Sequence, residues 1–284
     1  MQKLILSIAI VLISTMLFSQ NKPAYKLYNA KGSKVSYKKM VKSMAKANVV
    51  LFGEYHNNAI VHWLQLEATK DLHKLRKLTL GAEMFEADNQ LPLNNYLSGE
   101  INEKGLDTLA RLWSNYKTDY KPLVDFAKAN KLQFIATNIP RSYASLVYKG
   151  GFEALDSLSV EEKTWIAPLP INYDANLPGY VKMKAMMGGH GGDNLPKAQA
   201  IKDATMAYFI LKNWQKNKLF LHYNGSYHSD DFEGIYWYLK QKYPTLKIVT
   251  VSVVEQENVK KLHKENKLKA DFVIVVSDTM TKTY

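Results

Sequence analysis

Glu, His, Asn and Arg recur where short apolar runs of this chain end. The run 48–53 gives way to Gly53-Glu54-Tyr55-His56. The run 78–84 carries Glu83 and is followed by Glu86. The run 132–138 ends in Thr137-Asn138, then Pro140-Arg141, and the run 218–223 leads through His222-Tyr223-Asn224-Gly225 to His228. Carboxylates and imidazoles in this number have two chemistries open to them. They act as general acid–base pairs, with Arg141 balancing charge. Alternatively they bind a divalent metal, since both groups suit Zn, Mn, Ni or Fe. Glu54, His56, Glu83 and His228 are the candidate metal ligands. With Arg141 they are also the candidate catalytic set of a metal-dependent hydrolase or peptidase. HExxH, GxSxG, P-loop and GxGxxG signatures are all absent. Plainer roles exist for each residue. Glu54 can cap the helix after it, and Glu83 and Arg141 can form a structural ion pair. His62 suits packing at the edge of a helical stripe, and His73 and His263, flanked by Lys, suit solvent.

Phenols and thioethers open a third chemistry. Tyr (18) outnumbers Phe (10), and Tyr, His and Met can each ligate haem iron. Trp113, Tyr116 and Tyr120, with Lys117 and Lys121 nearby, supply aromatic walls and cations. So do Tyr173, Tyr180, Met183, Met186 and Met187, with His190 set between pairs of glycines. The candidate haem-binding residues are Tyr120, Tyr180, Met186, Met187 and His190.

These residues must be positioned by regular elements. Apolar runs with β-branched or aromatic content predict strands at 48–53, 78–84, 132–138, 218–223, 246–253 and 271–276. Helical spacing marks 58–76, 119–129, 196–216 and 231–242. In the first helix Ile60, Leu64, Ala68, Leu72 and Leu75 form one stripe. Asn57 or Asn58 is its candidate cap, and Asp231 that of the last helix. Alternation of strand and helix predicts an α/β fold, a mostly parallel central sheet with helices on both faces. Polar residues at the carboxyl ends of such strands share one crevice. The Pro- and Gly-rich segment 166–195 reads as a long loop, flap or small helical insertion, and long loops in compact domains are often functional.

Composition narrows the partners. The 284 residues carry a net charge of +12, are 46% hydrophobic and contain no Cys. Disulfide scaffolds, thiolate metal sites, thiol nucleophiles and lipid attachment at Cys are excluded. Only Arg76, Arg111 and Arg141 are Arg among 38 basic residues. A dispersed Lys surface lacks the guanidinium fork that reads bases and phosphates, so nucleic acid is not expected. Residues 1–20 combine Lys3, an apolar run from Leu4 to Phe18 and a small-polar Ser19-Gln20 junction, the pattern of a cleaved secretory signal. The expected product is one domain over 21–284, exported to the periplasm or secreted, and not a lipoprotein.

Taken in order, six motifs carry a family resemblance. They are Gly53-Glu54-x-His56-Asn57, and Gly81-x-Glu83-Met84-Phe85 with Gln90. Trp113 and Tyr116 follow, ahead of Tyr120-x-Pro122-Leu123, and then Asn138-x-Pro140-Arg141. The last two are Gln199-Ala200-x-x-x-Asp203-Ala204-Thr205-Met206-Ala207 and Gly225-x-x-His228. Together, over about residues 48–253, they resemble the ChaN family of haem-binding, iron-regulated proteins in the Tiki/TraB/erythromycin-esterase-like superfamily. The resemblance implies an exported α/β protein of iron or haem acquisition. It implies haem bound as a pair between two subunits of a homodimer, an axial Tyr, and an outer-membrane haem transport system as partner. Similar members of the superfamily are metal-dependent hydrolases that use the same Glu/His strand ends.

Overall fold

Seven strands form one sheet in the computed structural model, which describes residues 22–186 and 192–284. The leader expected at 1–20 and the candidate ligands Met187 and His190 lie outside the described residues, as does the Met186 side chain. The strands are β1 (Tyr25–Asn29), β2 (Val49–Glu54), β3 (Leu78–Glu86), β4 (Phe134–Asn138), β5 (Leu219–Gly225), β6 (Ile248–Gln256) and β7 (Phe272–Ser277). Their spatial order is β1-β7-β6-β2-β5-β3-β4. Every pairing is parallel except that of β1 on β7. The expected α/β class is therefore observed. All six predicted strands are present, and the edge strand β1 is an addition.

The helices are α1 (Tyr37–Met44), α2 (Ala59–Leu75), α3 (Gln90–Ser98), α4 (Glu103–Leu109), α5 (Lys121–Ala129), α6 (Arg141–Gly150), α7 (Pro178–Met186), α8 (Asn194–Asn213) and α9 (Ile235–Lys242). Alternation along β2 shows why the sheet is covered on both sides. Val50 and Phe52 join a core that includes Met40 and Met44 of α1, Leu64 and Leu72 of α2, and Leu123 of α5. Val49 and Leu51 join the opposite core, with Met206 and Ile210 of α8 and Leu239 of α9. Side chains point alternately to the two faces, so a strand apolar on both is buried on both. Each such buried Val, Leu or Phe contributes about 1.5–3 kcal/mol.

The two expected helix caps differ in outcome. Asn58 caps α2, its Oδ1 accepting from the Val61 N–H at 3.3 Å. Asp231 does not cap α9. It sits at φ 59 inside a tight turn, and the helix begins after Gly234 at φ 55. A side chain on Gly234 would collide with the His228 carbonyl. The stripe on α2 also differs. Leu75 is exposed, while Val61, His62, Gln65 and Thr69 are buried beside Leu64, Ala68 and Leu72. The described part of segment 166–195 is loop followed by α7, and α8 begins at its end, at Asn194.

The neighbours β2 and β5 send the chain over opposite faces of the sheet, through α2 and α9 respectively, and a crevice opens between the two connections beyond the strand ends, where ligands of open α/β sheets bind. No described helix is long and apolar enough to cross a membrane.

Candidate functional site

Three adjacent central strands, β2, β5 and β3, deliver Glu54, Gly225 and Glu83 to that crevice. Two carboxylate–imidazole assemblies form there, and both are largely buried.

Glu54 anchors the first. Its Oε1 accepts from the Tyr120 hydroxyl at 2.8 Å and lies 2.9 Å from His56 Nδ1. Its Oε2 accepts from the Gln65 amide at 2.7 Å. His62 Nδ1 stands 3.7 Å from Glu54, and His62 Nε2 donates to the His56 carbonyl at 3.1 Å. The Asn115 amide reaches the same carbonyl at 2.9 Å and Asp119 Oδ2 at 2.7 Å. Glu54 therefore does not cap α2 but gathers side chains from three elements. A π-helical turn at Tyr116–Tyr120 aims Asp119 and Tyr120 inward, a device frequent at functional sites. His62 packs as expected, but within this polar network.

Glu83 anchors the second. Its Oε2 accepts from the Gly225 N–H at 2.7 Å, and its Oε1 lies 3.1 Å from His228 Nε2. The other ring nitrogen of His228 lies 2.5 Å from Asp203 Oδ1 on α8, with the Gln199 amide at 2.8 Å. Glu83 thus pairs with His228 and not with Arg141. Arg141 is exposed at the start of α6, without an ion pair among the described residues, while Arg111 pairs with Glu86 and Asp88. Nearby, His222 Nδ1 faces Asn224 Oδ1 at 3.1 Å and its Nε2 faces the Thr137 hydroxyl at 2.8 Å.

The two assemblies meet at His56 and Gly225. A Cβ on Gly225 would lie 2.9 Å from His56 Nε2 and 3.5 Å from Glu83 Oε2, so glycine lets the ring approach the strand end. Among the imidazoles of the network only His56 is substantially open, with 31% of its side chain exposed. Trp113 stacks edge-on against it at 4.9 Å.

Electrostatics follow from this burial. Burial would lower the His228 pKa, but Glu83 and Asp203 prevail and hold it at about 10. Burial would raise Glu83, but His228, His56 and the Gly225 N–H keep it well below the usual carboxylate range. Asp203 goes the other way, raised by burial that His228 offsets only in part. His56 feels burial too, yet its bond to Glu54 and the charge of Glu83 lift it above 6.5. Buried His222, with no carboxylate in contact, falls to about 4. Tyr120 is raised, first by burial and then by Glu54. Glu83 and Asp203 thus favour the protonated form of His228 between them, and His56 is the imidazole of the network most open to solvent.

A pH dependence of stability follows. A pKa raised in the fold contributes stability that is complete below the unfolded value and lost as pH climbs to the folded one. For His228 that window runs from 6.5 to about 10. The melting temperature should fall progressively across it, and His228→Gln should flatten that limb. An unchanged limb in the variant would contradict the assignment.

Two cavities flank the network. One of about 1010 Å³ is lined by Glu83, Arg111, Trp113, Arg141, Tyr143 and Lys202. The other, about 760 Å³, is lined by Glu54, His56, Gly225, Tyr227 and His228. Tyr284 borders both. The C-terminal residues run over the site, Thr283 donating to Asp119 Oδ2 at 2.8 Å. This strap and the buried partners Gln65, Asn115 and Asp119 come in addition to the residues expected from the sequence.

The metal expectation finds no support. Among the described residues no group of three or more His, Asp or Glu side chains is arranged to hold a metal ion. The oxygens and nitrogens of Glu54, Glu83 and His228 are instead committed to one another and to their hydrogen-bond donors. Tyr180 stands on α7, in a small cavity that it shares with Gln199 and Asp203 of the second assembly and with Tyr227. It is buried, with its ring tilted against Tyr173 at 5.6 Å. Its hydroxyl makes no well-formed hydrogen bond among the described residues, and the neighbouring Tyr238 hydroxyl donates to the Asn172 carbonyl at 2.8 Å. His73 is half-buried against Phe126 rather than solvated, and His263 is exposed.

Sheet order and strand-end network together define an α/β protein with a His–carboxylate centre at the strand ends and an aromatic insertion beside it. Residues 40–239 match the family described as haem-binding uptake, Tiki superfamily, ChaN, and the chain belongs to that family. The fold is similar to that of ChaN of Campylobacter jejuni in a structure of cofacial haem binding. That likeness has a TM-score of 0.67 and 20% identity, and covers 91% of this chain and 99% of that one. A Bacillus cereus protein is similar with a TM-score of 0.52 and 13% identity, over 89% of this chain and 95% of that one. No curated protein matches the chain.

Proposed function

We propose that this chain is an exported haem-binding protein of iron or haem acquisition, which holds haem between two copies of itself and passes it to an outer-membrane haem transport system. Family membership over residues 40–239 carries the reading, and the chemistry of the insertion supports it. Haem as cargo needs an iron ligand, apolar walls and cations for its propionates. Around α7 these are Tyr180, the half-buried Tyr173, the exposed Val181, and Lys182. Tyr180 is favoured over Tyr120 as the ligand. The Tyr120 hydroxyl is committed to Glu54 inside the network, whereas that of Tyr180 has no comparable bond.

Sharing between copies suits the same face. Val181 is 54% exposed, and Tyr227, 41% exposed, donates to the Gly179 carbonyl at 2.8 Å. A second copy laid here would cover both side chains and the outer face of a haem. Native mass spectrometry of the haem-loaded chain from Asn21 onward should show two chains with two haems. A complex of one chain with one haem at all concentrations would contradict the shared site.

A further inference from the structure

Residues 22–53 contain eight Lys and no Asp, Glu or Arg. The fold gathers most of them on one edge. Lys38, Lys39, Lys42 and Lys46 all stand exposed on and just after α1, whose Met40, Val41 and Met44 are buried in the core. Ser36, Ser43 and those four lysines line one shallow depression. Lys31 and Lys34, also exposed, lie in the turn that leads into α1. Lys267, far off in sequence, packs its stem against Gly32 in that turn. None of these seven lysines has an ion pair among the described residues, whereas Lys70 and Lys74 on the neighbouring α2 are paired with Glu67 and Asp71. Beside the turn Leu268 is 63% exposed, its N–H bonded to the Ala30 carbonyl at 2.8 Å, and it is held at φ 64.

We infer that this edge is a membrane-docking surface, which lays the lysines of α1 and of the Lys31–Lys34 turn on an anionic lipid bilayer with Leu268 at the contact. The inference stands apart from the haem reading. Composition selects the occupant. Protein interfaces are depleted in Lys. Nucleic-acid sites favour the bidentate fork of Arg, and this edge has none. Clusters of four to eight basic residues on a helix at a membrane surface bind diffuse anionic headgroups instead. The apolar side of α1 is committed to the core, so attraction is electrostatic and salt-sensitive. Leu268 adds a small apolar foothold.

The chain from Asn21 onward contains every residue of the described core and is the protein to test. It should co-sediment at low salt with vesicles of phosphatidylcholine containing phosphatidylglycerol, and not with phosphatidylcholine alone. Binding should weaken steeply as salt is raised. Replacing Lys38, Lys39, Lys42 and Lys46 together by Gln should weaken it roughly 100-fold or more, with the melting temperature preserved. Gln at the exposed Lys104, Lys149, Lys163 and Lys216 should leave it within a few-fold. Leu268→Asn keeps a residue that tolerates positive φ and should weaken binding several-fold without altering the salt slope. Equal losses in the two quadruple variants would show a response to net charge alone and overturn the inference. So would an absence of binding to anionic vesicles, or tighter binding to duplex DNA at the same salt.

Discussion

Replacing His228 by Ala should destabilise the fold by about 3–5 kcal/mol, the usual consequence of removing one partner from a buried ion pair. The imidazole is enclosed between Glu83 at 3.1 Å and Asp203 at 2.5 Å, and all three side chains are buried. Without it two carboxylates share a dry space, and one must take up a proton. Urea unfolding at pH 7 should register the loss as a lower midpoint at unchanged slope. Asp203→Asn removes the carboxylate that burial already pushes toward its neutral form, so its loss should be smaller, about 1–3 kcal/mol. A His228→Ala variant within about 1 kcal/mol of the parent would mean that the ion pair is not formed in solution.

Removing the Tyr180 hydroxyl should act on haem rather than on the fold. In the parent that hydroxyl makes no well-formed bond among the described residues, so Tyr180→Phe should change stability by less than about 1 kcal/mol. Loss of the iron ligand should shift the Soret band of bound ferric haem and weaken binding by about tenfold or more, roughly 1.4 kcal/mol. Tyr120→Phe should show the reverse pattern. It deprives the buried Glu54 of a donor at 2.8 Å and should cost about 1–3 kcal/mol of stability, with the spectrum unchanged. A Soret shift in Tyr120→Phe, and none in Tyr180→Phe, would move the ligand to the strand-end network.

The contrast between these two tyrosines shows what the sequence makes legible. Strands β2 to β7 are written as apolar β-branched runs because the sheet buries them on both faces, so their positions and class could be read directly. β1 escapes because Tyr25–Asn29 is a five-residue edge strand interrupted by Lys26 and ended by Asn29, too short to show a period. Helices α3 and α4 are short and carry Pro92 and Gly105 in their first turns, which weakens the periodic signal. The Asp231 cap fails because the turn after His228 is set by contact with the site, not by local propensity. Strand ends fixed where the polar residues gather, and Glu54, His56, Glu83 and His228 do converge in the crevice. Their pairings were not legible. Glu83 finds His228 and not Arg141, and Asp203 and Tyr120 complete the two assemblies from distant elements. One signal was available on α2, where His62, Gln65 and Thr69 interrupt the buried face with polar side chains that need partners.

The most direct test of the haem reading is a titration of the chain from Asn21 onward with haemin, followed by visible absorbance. A saturable Soret band, reaching its plateau at one haem per chain and altered by Tyr180→Phe, is the predicted result. A flat titration, with only scatter and no saturation, would contradict haem carriage by this protein.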